Sequence, residues 1–353
     1  MANFFSVKVK QIHKETHDSV SLSLDVGDKN LKEFQFIPGQ YITIKANIDS
    51  EDCRRSYSIC SSTSELLRVG VKKVYNGKMS TYINEYLNEG DIIEIQPPQG
   101  NFKLEEVNHS NNRKFVGFAA GSGITPILSM IKELSSKEKT SQFLLFFANK
   151  TSNDVMFRKE LDALSSKNII IKYLYTRENL ENDLYNGRIN EAKSKELLKS
   201  NMDYLNADAF YLCGPEEMIF STKNVLESLG VVSSKIKFEL FNAPVLEDVS
   251  LEKENLDVEF NGESQVKVIY DDEEVEFSLN RRGDTILDAA MDNDLDVPFS
   301  CKGAVCCTCR AKVTEGSVVM DANYALSDQE VEDGYILTCQ SHPNSKKVVI
   351  DFD

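Results

Sequence analysis

Three modules in tandem are predicted: a small antiparallel β-barrel, a doubly wound α/β domain with a parallel sheet, and a small α+β domain. Three observations predict them. Near Asn112 the hydrophobic pattern changes from short alternating strands to strands interleaved with amphipathic helices. Near residue 245 the charge breaks: of 40 Lys/Arg and 56 Asp/Glu, residues 245–353 hold 9 and 25, so the whole net charge of −16 sits there behind a neutral body. Five of the eight cysteines fall in that same acidic stretch. A length of 353 residues suits two or three domains, and 41% hydrophobic residues is ordinary globular usage.

Residues 1–105 read as β-rich. Val20, Leu22, Leu24 and Val26 alternate with polar residues, as on a half-buried strand. FQFIPGQYITIKANI reads as two extended runs around Pro38-Gly39, and RSYSICSS, ELLRVGVKKVY and DIIEIQ as further strands; only residues 79–87 look helical. Residues 106–242 alternate differently. RKFVGFAAGSGITPILSMIKELSS reads strand, glycine loop, helix; QFLLFFAN, NIIIKYLYT, DAFYLCGP and KIKFELF are strands with helices between them, the pattern of a parallel sheet. Residues 243–256 show no period and read as a linker long enough to let the last module swing. In residues 257–353, QVKVIYDDEEVEFSL reads as a hairpin, DTILDAAMDNDL as a short helix and KKVVIDFD as a closing strand.

Several function classes drop out. An acidic chain is a poor match for nucleic acid, which requires basic patches. No apolar run approaches a membrane span, and the N-terminus lacks the charged, apolar and small-residue regions of a secretion signal, so the expectation is a cytoplasmic protein. Four histidines, at 13, 17, 109 and 342, are too few and scattered for a multi-histidine metal site. The acidic module suggests steering toward a basic protein face.

The strongest motif is Cys301-x4-Cys306-x2-Cys309 followed by 29 residues and Cys339. That is the spacing of plant-type [2Fe–2S] sites: a tight loop supplies three thiolates and a distant cysteine closes the cage. A structural zinc site more often shows paired C-x2-C knuckles. Gly303 is expected to relieve crowding where the backbone wraps the cluster, and Cys307 to be a packing residue. Three weaker motifs acquire meaning together. Arg55-Ser56-Tyr57-Ser58 offers a cation for a diphosphate and a flat aromatic face. Gly77-Lys78-Met79-Ser80 opens the one helix of the β-rich module, where free N–H groups favour an anion. Gly121-Ser122-Gly123-Ile124-Thr125-Pro126 joins a strand to a helix and permits close approach of a pyrophosphate, while Cys213-Gly214-Pro215 ends a later strand of the same sheet, where ligands bind.

Together these residues resemble the ferredoxin–NADP reductase superfamily, and the C-terminal cysteine motif narrows the resemblance to three-module oxygenase reductases. The resemblance implies an FAD-binding barrel, an NAD(P)-binding α/β domain and a β-grasp ferredoxin domain. It implies that Arg55, Tyr57 and Ser58 hold the flavin, with Ser58 near its reactive nitrogen, that Gly77, Met79 and Ser80 hold its diphosphate, and that Phe241 lies against it. Gly121, Gly123, Thr125, Cys213 and Gly214 would seat the nicotinamide dinucleotide, with Ser58, Cys213 and Glu239 at the hydride-transfer position. Cys301, Cys306, Cys309 and Cys339 would hold the cluster. Thr176-Arg177 resembles a pair that grips the 2′-phosphate of NADPH, which favours NADPH over NADH. Ala304 stands where relatives carry glycine. The implied activity is electron transfer from NAD(P)H through FAD and a [2Fe–2S] cluster to a di-iron monooxygenase docked on the acidic module. A steroid hydroxylase or acyl desaturase partner, or a redox-sensing module without onward transfer, are the competing readings.

Overall fold

The computed structural model describes residues 4–105, 112–242, 260 and 262–352; the expected linker at 243–256 lies outside the described residues. In the first module the strands are β1 (Phe5–Thr16), β2 (Ser19–Asp25), β3 (Tyr41–Ile48), β4 (Glu51–Ser58), β5 (Leu67–Lys72) and β6 (Ile92–Ile95), with helix α1 (Lys78–Glu85) after β5. They form one antiparallel sheet in the order β4-β3-β6-β1-β2-β5, and an antiparallel bridge between Ile59 and Val69 draws its two ends together into a barrel. Asp49 and Ser50, both at positive φ, make the two-residue turn between β3 and β4. The barrel interior is aliphatic, with Leu22, Leu24, Ile42, Ile44 and Val69 fully buried.

Two details differ from the sequence expectation. β1 is the longest strand of the barrel, yet the alternation reading does not single it out, because only Val7, Val9 and Thr16 of its twelve residues are buried. Of the two runs expected around Pro38-Gly39, only the second is a strand; Ile37 to Gln40 close a turn, with Gln40 N donating to Ile37 O and Ile37 N to the Gln40 side chain.

The second module carries β7 (Lys114–Ala120), α2 (Ile124–Lys137), β8 (Gln142–Asn149), α3 (Arg158–Leu164), β9 (Ile169–Tyr175), α4 (Glu191–Lys199), β10 (Ala209–Cys213), α5 (Glu216–Ser228) and β11 (Ile236–Glu239). Its five strands are all parallel in the order β11-β10-β7-β8-β9. Both faces are buried, which is why the strands read as nearly unbroken apolar runs: Phe115, Phe143 and Tyr211 face one core, Phe118, Phe146 and Phe210 the other. The first of these cores runs on into the barrel module through Cys60, Phe102 and Leu104.

The third module holds β12 (Glu263–Tyr270), β13 (Glu273–Asn280), α6 (Ile286–Asp292), β14 (Arg310–Glu315), β15 (Val318–Met320), α7 (Asp328–Glu332), β16 (Tyr335–Leu337), β17 (Ser341–Pro343) and β18 (Lys347–Asp351). The main sheet runs β13-β12-β18-β14-β16, with β12 and β18 parallel at its centre and α6 packed on it. The expected hairpin is present, turned by Asp271 and Asp272 at positive φ. Among the described residues, no helix is long and apolar enough to cross a membrane.

Candidate functional site

One cavity of about 1370 Å³ is lined by all three modules. It exceeds the roughly 300–1,000 Å³ that one small ligand takes, so it has room for two ligands side by side. The end of β4 supplies Arg55, Tyr57 and Ser58; the entry to α1 supplies Gly77, Met79 and Ser80. The turn between β7 and α2 supplies Gly121, Gly123 and Thr125, and the turn after β10 supplies Gly214. Arg177 follows β9, Phe241 follows β11, and Cys301 enters from the third module. The motifs separated in sequence therefore meet at one place, at the carboxyl ends of the parallel strands.

Local structure explains these positions. Gly77 caps α1 at extended φ and ψ, and a Cβ there would stand 2.6 Å from Ser80 Oγ, which itself accepts the Val74 N–H. Gly121 sits at φ 55° with open space around it, so glycine serves the turn there. At Gly123 the φ is an ordinary −61°, but a Cβ would lie 2.1 Å from Cys213 O, so glycine serves close packing. Thr125 is buried and donates to Ser122 O at 2.9 Å.

Of the residues expected around the flavin and nicotinamide, two do not line the cavity. Cys213 is wholly buried beneath Gly214, within the apolar core of the sheet, and burial, with the Glu239 carboxyl beside it, pushes its thiol well above the usual value. Glu239 pairs with Cys213 across β10 and β11 and accepts a hydrogen bond from Ser58 Oγ at 3.1 Å. Burial raises the Glu239 carboxyl to about 8; the Ser58 bond opposes this, and nearby Cys306 adds to it. The two residues reach the cavity through neighbours: Glu239 through the Ser58 hydroxyl, Cys213 through the backbone it carries.

Other lining residues were not singled out from sequence. Asn149 ends β8, is 6% exposed, and both polar atoms of its amide lack a partner. A buried amide left open toward a cavity fits a ligand that hydrogen-bonds it. Arg188, exposed in the loop before α4, also lines the cavity; Arg177 N donates to Lys150 O at 2.8 Å, and the Tyr175–Asn186 bridge brings the segment carrying Arg188 alongside the end of β9. Gly70 in β5 also lines the wall; a Cβ there would stand 2.7 Å from Thr125 and 2.8 Å from Phe157. A glycine inside a strand was the available signal for such close approach.

The four expected cluster cysteines gather as two pairs. Cys306 donates to Cys301 at 3.1 Å, and Cys309 donates to Cys339. The Cys306 bond, assisted by the Gly303 N–H at 3.3 Å, lowers the Cys301 thiol to about 7; the Cys309 bond lowers Cys339. Among the described residues, no group of three or more His, Cys, Asp or Glu could hold a single metal ion. Two adjacent thiol pairs, set on a C-x4-C-x2-C loop and a distant cysteine, fit a dinuclear cluster with two thiolates on each metal atom. The loop turns at Lys302 (φ 49°) and Ala304 (φ 62°), with Gly303 outside the left-handed region. The left-handed backbone of the loop thus falls on the neighbours of Gly303, and Ala304 occupies a conformation that favours glycine. Cys307 is half-buried and takes no part in either pair; its N–H donates to Tyr41 Oη of the barrel at 2.9 Å, and its sulfur reaches Ala325 O at 3.4 Å.

Comparison with known proteins gives the same three parts. Residues 6–104 match the oxidoreductase FAD-binding domain, residues 118–224 the oxidoreductase NAD-binding domain, and residues 268–344 the 2Fe-2S iron-sulfur cluster binding domain. The chain is 36% identical to one of the subunits of 1,2-phenylacetyl-CoA epoxidase from Escherichia coli K12, over 100% of this chain and 99% of that one. It is 28% identical to the ferredoxin reductase component of 3-ketosteroid-9-alpha-monooxygenase from Rhodococcus rhodochrous, over 98% and 95% of the two chains. The fold matches phthalate dioxygenase reductase with a TM-score of 0.59 at 23% identity, covering 99% and 98% of the two.

Proposed function

We propose that this chain, which belongs to the oxygenase-reductase family joining FAD-binding, NAD-binding and 2Fe-2S domains, carries electrons from NADPH through FAD and a [2Fe–2S] cluster to a di-iron monooxygenase that acts on phenylacetyl-CoA. One observation carries the electron-transfer reading: a single cavity is lined by the R-x-Y-S strand, the glycine turn after β7 and Cys301. The phenylacetyl-CoA reading rests on full-length similarity to the epoxidase component.

The residues would work as follows. Arg55 supplies a cation, and the α1 entry at Gly77, Met79 and Ser80 supplies N–H groups, for the flavin diphosphate. Tyr57 and Phe241 give aromatic faces. Ser58, held by Glu239, presents its hydroxyl where the flavin and nicotinamide rings would meet. Gly121, Gly123, Thr125 and Gly214 let the dinucleotide approach the strand ends, and Asn149 offers its open amide. When bound, the flavin accepts a hydride and the cluster passes single electrons; the protein orients them and excludes water. The scarcity of histidine suits chemistry that needs little acid–base help.

Lys150, Arg177 and Arg188 form a cationic end to the cavity that suits a 2′-phosphate. Arg177→Ala should weaken NADPH roughly tenfold and leave NADH nearly unchanged, as one charge-assisted contact is lost. Isothermal titration with both nucleotides measures it, and equal losses would remove Arg177 from that role. Cys213→Ala should slow flavin reduction on the order of tenfold while nucleotide affinity holds, because the loss is of floor support beneath Gly214. Stopped-flow flavin bleaching is the measurement, and an unchanged rate overturns the assignment.

The test of the whole reading is an anaerobic visible titration with NADPH and then NADH. Flavin bands and a broad iron–sulfur envelope should both bleach, with NADPH the better donor. A flavin-only spectrum would reduce the protein to a flavin reductase. Electron delivery is then assayed with the epoxidase oxygenase component and phenylacetyl-CoA, against a steroid hydroxylase component as the competing partner.

A further inference from the structure

The barrel and the parallel-sheet module share one apolar core, in which Phe102 and Leu104 pack with Ile127, Met130 and Tyr211. The third module differs: its core is made of its own residues, from Val266 to Ile350, and it meets the parallel-sheet core through two half-buried side chains, Val305 and Tyr324. What joins it to the barrel is polar. The Arg54 side chain on β4 is 3% exposed, and its guanidinium donates to Asp296 at 2.7 Å and to Val297 O at 3.3 Å, with Phe299 stacked 4.4 Å away. Ser56 Oγ donates to Ser300 Oγ at 2.9 Å, and Tyr41 Oη accepts the Cys307 N–H at 2.9 Å. These contacts on the third module cluster around Cys301 and Cys306, between residues 296 and 307; beside them Tyr41 Oη and Thr43 Oγ1 lie 3.2 and 3.4 Å from Thr308 Oγ1, and Asn101 Nδ2 donates to Ala325 O at 3.2 Å and to Glu330 Oε2 at 2.7 Å.

An apolar core that crosses two modules fuses them, whereas a contact made of one buried cation, a few hydroxyls, one amide and two half-buried apolar side chains can exchange with solvent or with another protein. Arg54 keeps a counter-charge when the contact opens, since Asp52 on its own strand stays with it at 2.8 Å. Asp296 is 42% exposed even when bound, so it retains access to water.

We propose that the β3–β4 hairpin is a releasable dock for the cysteine-loop face of the third module, anchored by Arg54 on Asp296, and that an acceptor protein with a basic surface takes the same face in alternation, presenting its own cation to Asp296. The dock positions the cysteine loop toward the cavity; its release exposes that loop outward. The purpose assigned to the dock rests on the electron-transfer reading above, but the dock itself is read from the contacts alone.

The experiment uses the full chain loaded with FAD and cluster, as wild type, Asp296→Arg, and the swap Arg54→Asp with Asp296→Arg. Small-angle X-ray scattering should show a larger radius of gyration for Asp296→Arg, and for wild type at high salt, with the compact radius regained in the swap. Cluster bleaching after mixing with NADPH should slow at least tenfold in Asp296→Arg and recover in the swap. Reduction of cytochrome c, a basic acceptor, should stay impaired in the swap, because the acceptor would then meet Arg at position 296. A radius and a bleaching rate unchanged in Asp296→Arg would overturn Arg54 as the anchor. Cytochrome c reduction restored in the swap would overturn the shared face. Asp296→Asn, a change at a half-exposed carboxylate, gives the same scattering test if the swap does not fold. Should wild type fail to bleach with any nucleotide, the electron-transfer reading falls while the scattering still decides the dock.

Discussion

Replacing Cys339 with Ser is expected to abolish the iron–sulfur absorbance while leaving the flavin bound. Cys339 is 4% exposed and pairs with Cys309, and the neighbouring Thr338 ties the two segments by donating its N–H and its hydroxyl to Cys309 O at 3.1 and 3.0 Å. The thiol here is inclined to ionise, because Cys309 donates to it. A serine hydroxyl in the same place stays protonated, so one metal atom of the pair would lose a charged ligand. The loss is also felt by folding, since Cys309, Cys339 and Ala304 belong to the apolar core of the third module. The flavin-side residues stand on β4 and α1, in a different core, and should be untouched. Iron and acid-labile sulfide analysis, with a visible spectrum, measures the outcome. Full cluster absorbance in the variant would show that the four thiols are not the ligand set. Zinc in the wild-type protein would instead revive the mononuclear reading, against the paired arrangement of the sulfurs.

What the sequence made legible was whatever depends on period, charge or fixed spacing. The change from period-2 to strand–helix alternation near Asn112 corresponds to a real change from antiparallel barrel to parallel sheet, because burial on one face or on two writes different patterns. The cysteine spacing predicted a loop whose thiols meet in space, and they do. Less legible was anything that depends on which surfaces touch. β1 escaped the alternation reading because few of its residues are buried. Arg54 stands next to Arg55 in the chain, and nothing in one dimension says that only the first is buried against another module. Asn149 looked like the polar end of an apolar strand; its open amide is visible only once the cavity wall exists. Cys213 shows the opposite error. Its position at a strand end argued for contact with ligand, yet the strand's pleat turns the thiol into the core and leaves Gly214 at the wall.

The two glycines of the turn after β7 separate conformational need from spatial need. At Gly123 the backbone already has helical φ and ψ, so an alanine could adopt it without torsional strain. Space forbids it: the Cβ would meet Cys213 O at 2.1 Å, Cys213 C at 2.5 Å and Gly214 N at 2.9 Å. All three are main-chain atoms of the β10 end, so no rotamer change relieves the clash, and either α2 or the Cys213-Gly214 turn must move. Gly123→Val should therefore destabilise the protein by about 3 kcal/mol or more, at the upper end of overpacking costs, and should abolish nucleotide binding, because both displaced segments wall the cavity. Gly121→Ala is the contrast. Its φ of 55° costs an L-residue about 1–2 kcal/mol, but nothing stands within 4 Å of the added methyl. That variant should fold with a modest loss of stability and keep measurable NADPH affinity. Chemical denaturation and nucleotide titration on both proteins test the difference. If Gly123→Val binds NADPH as well as Gly121→Ala does, the close packing of this turn on β10 is not what shapes the nucleotide wall, and the glycine pair would have to be explained by backbone conformation alone.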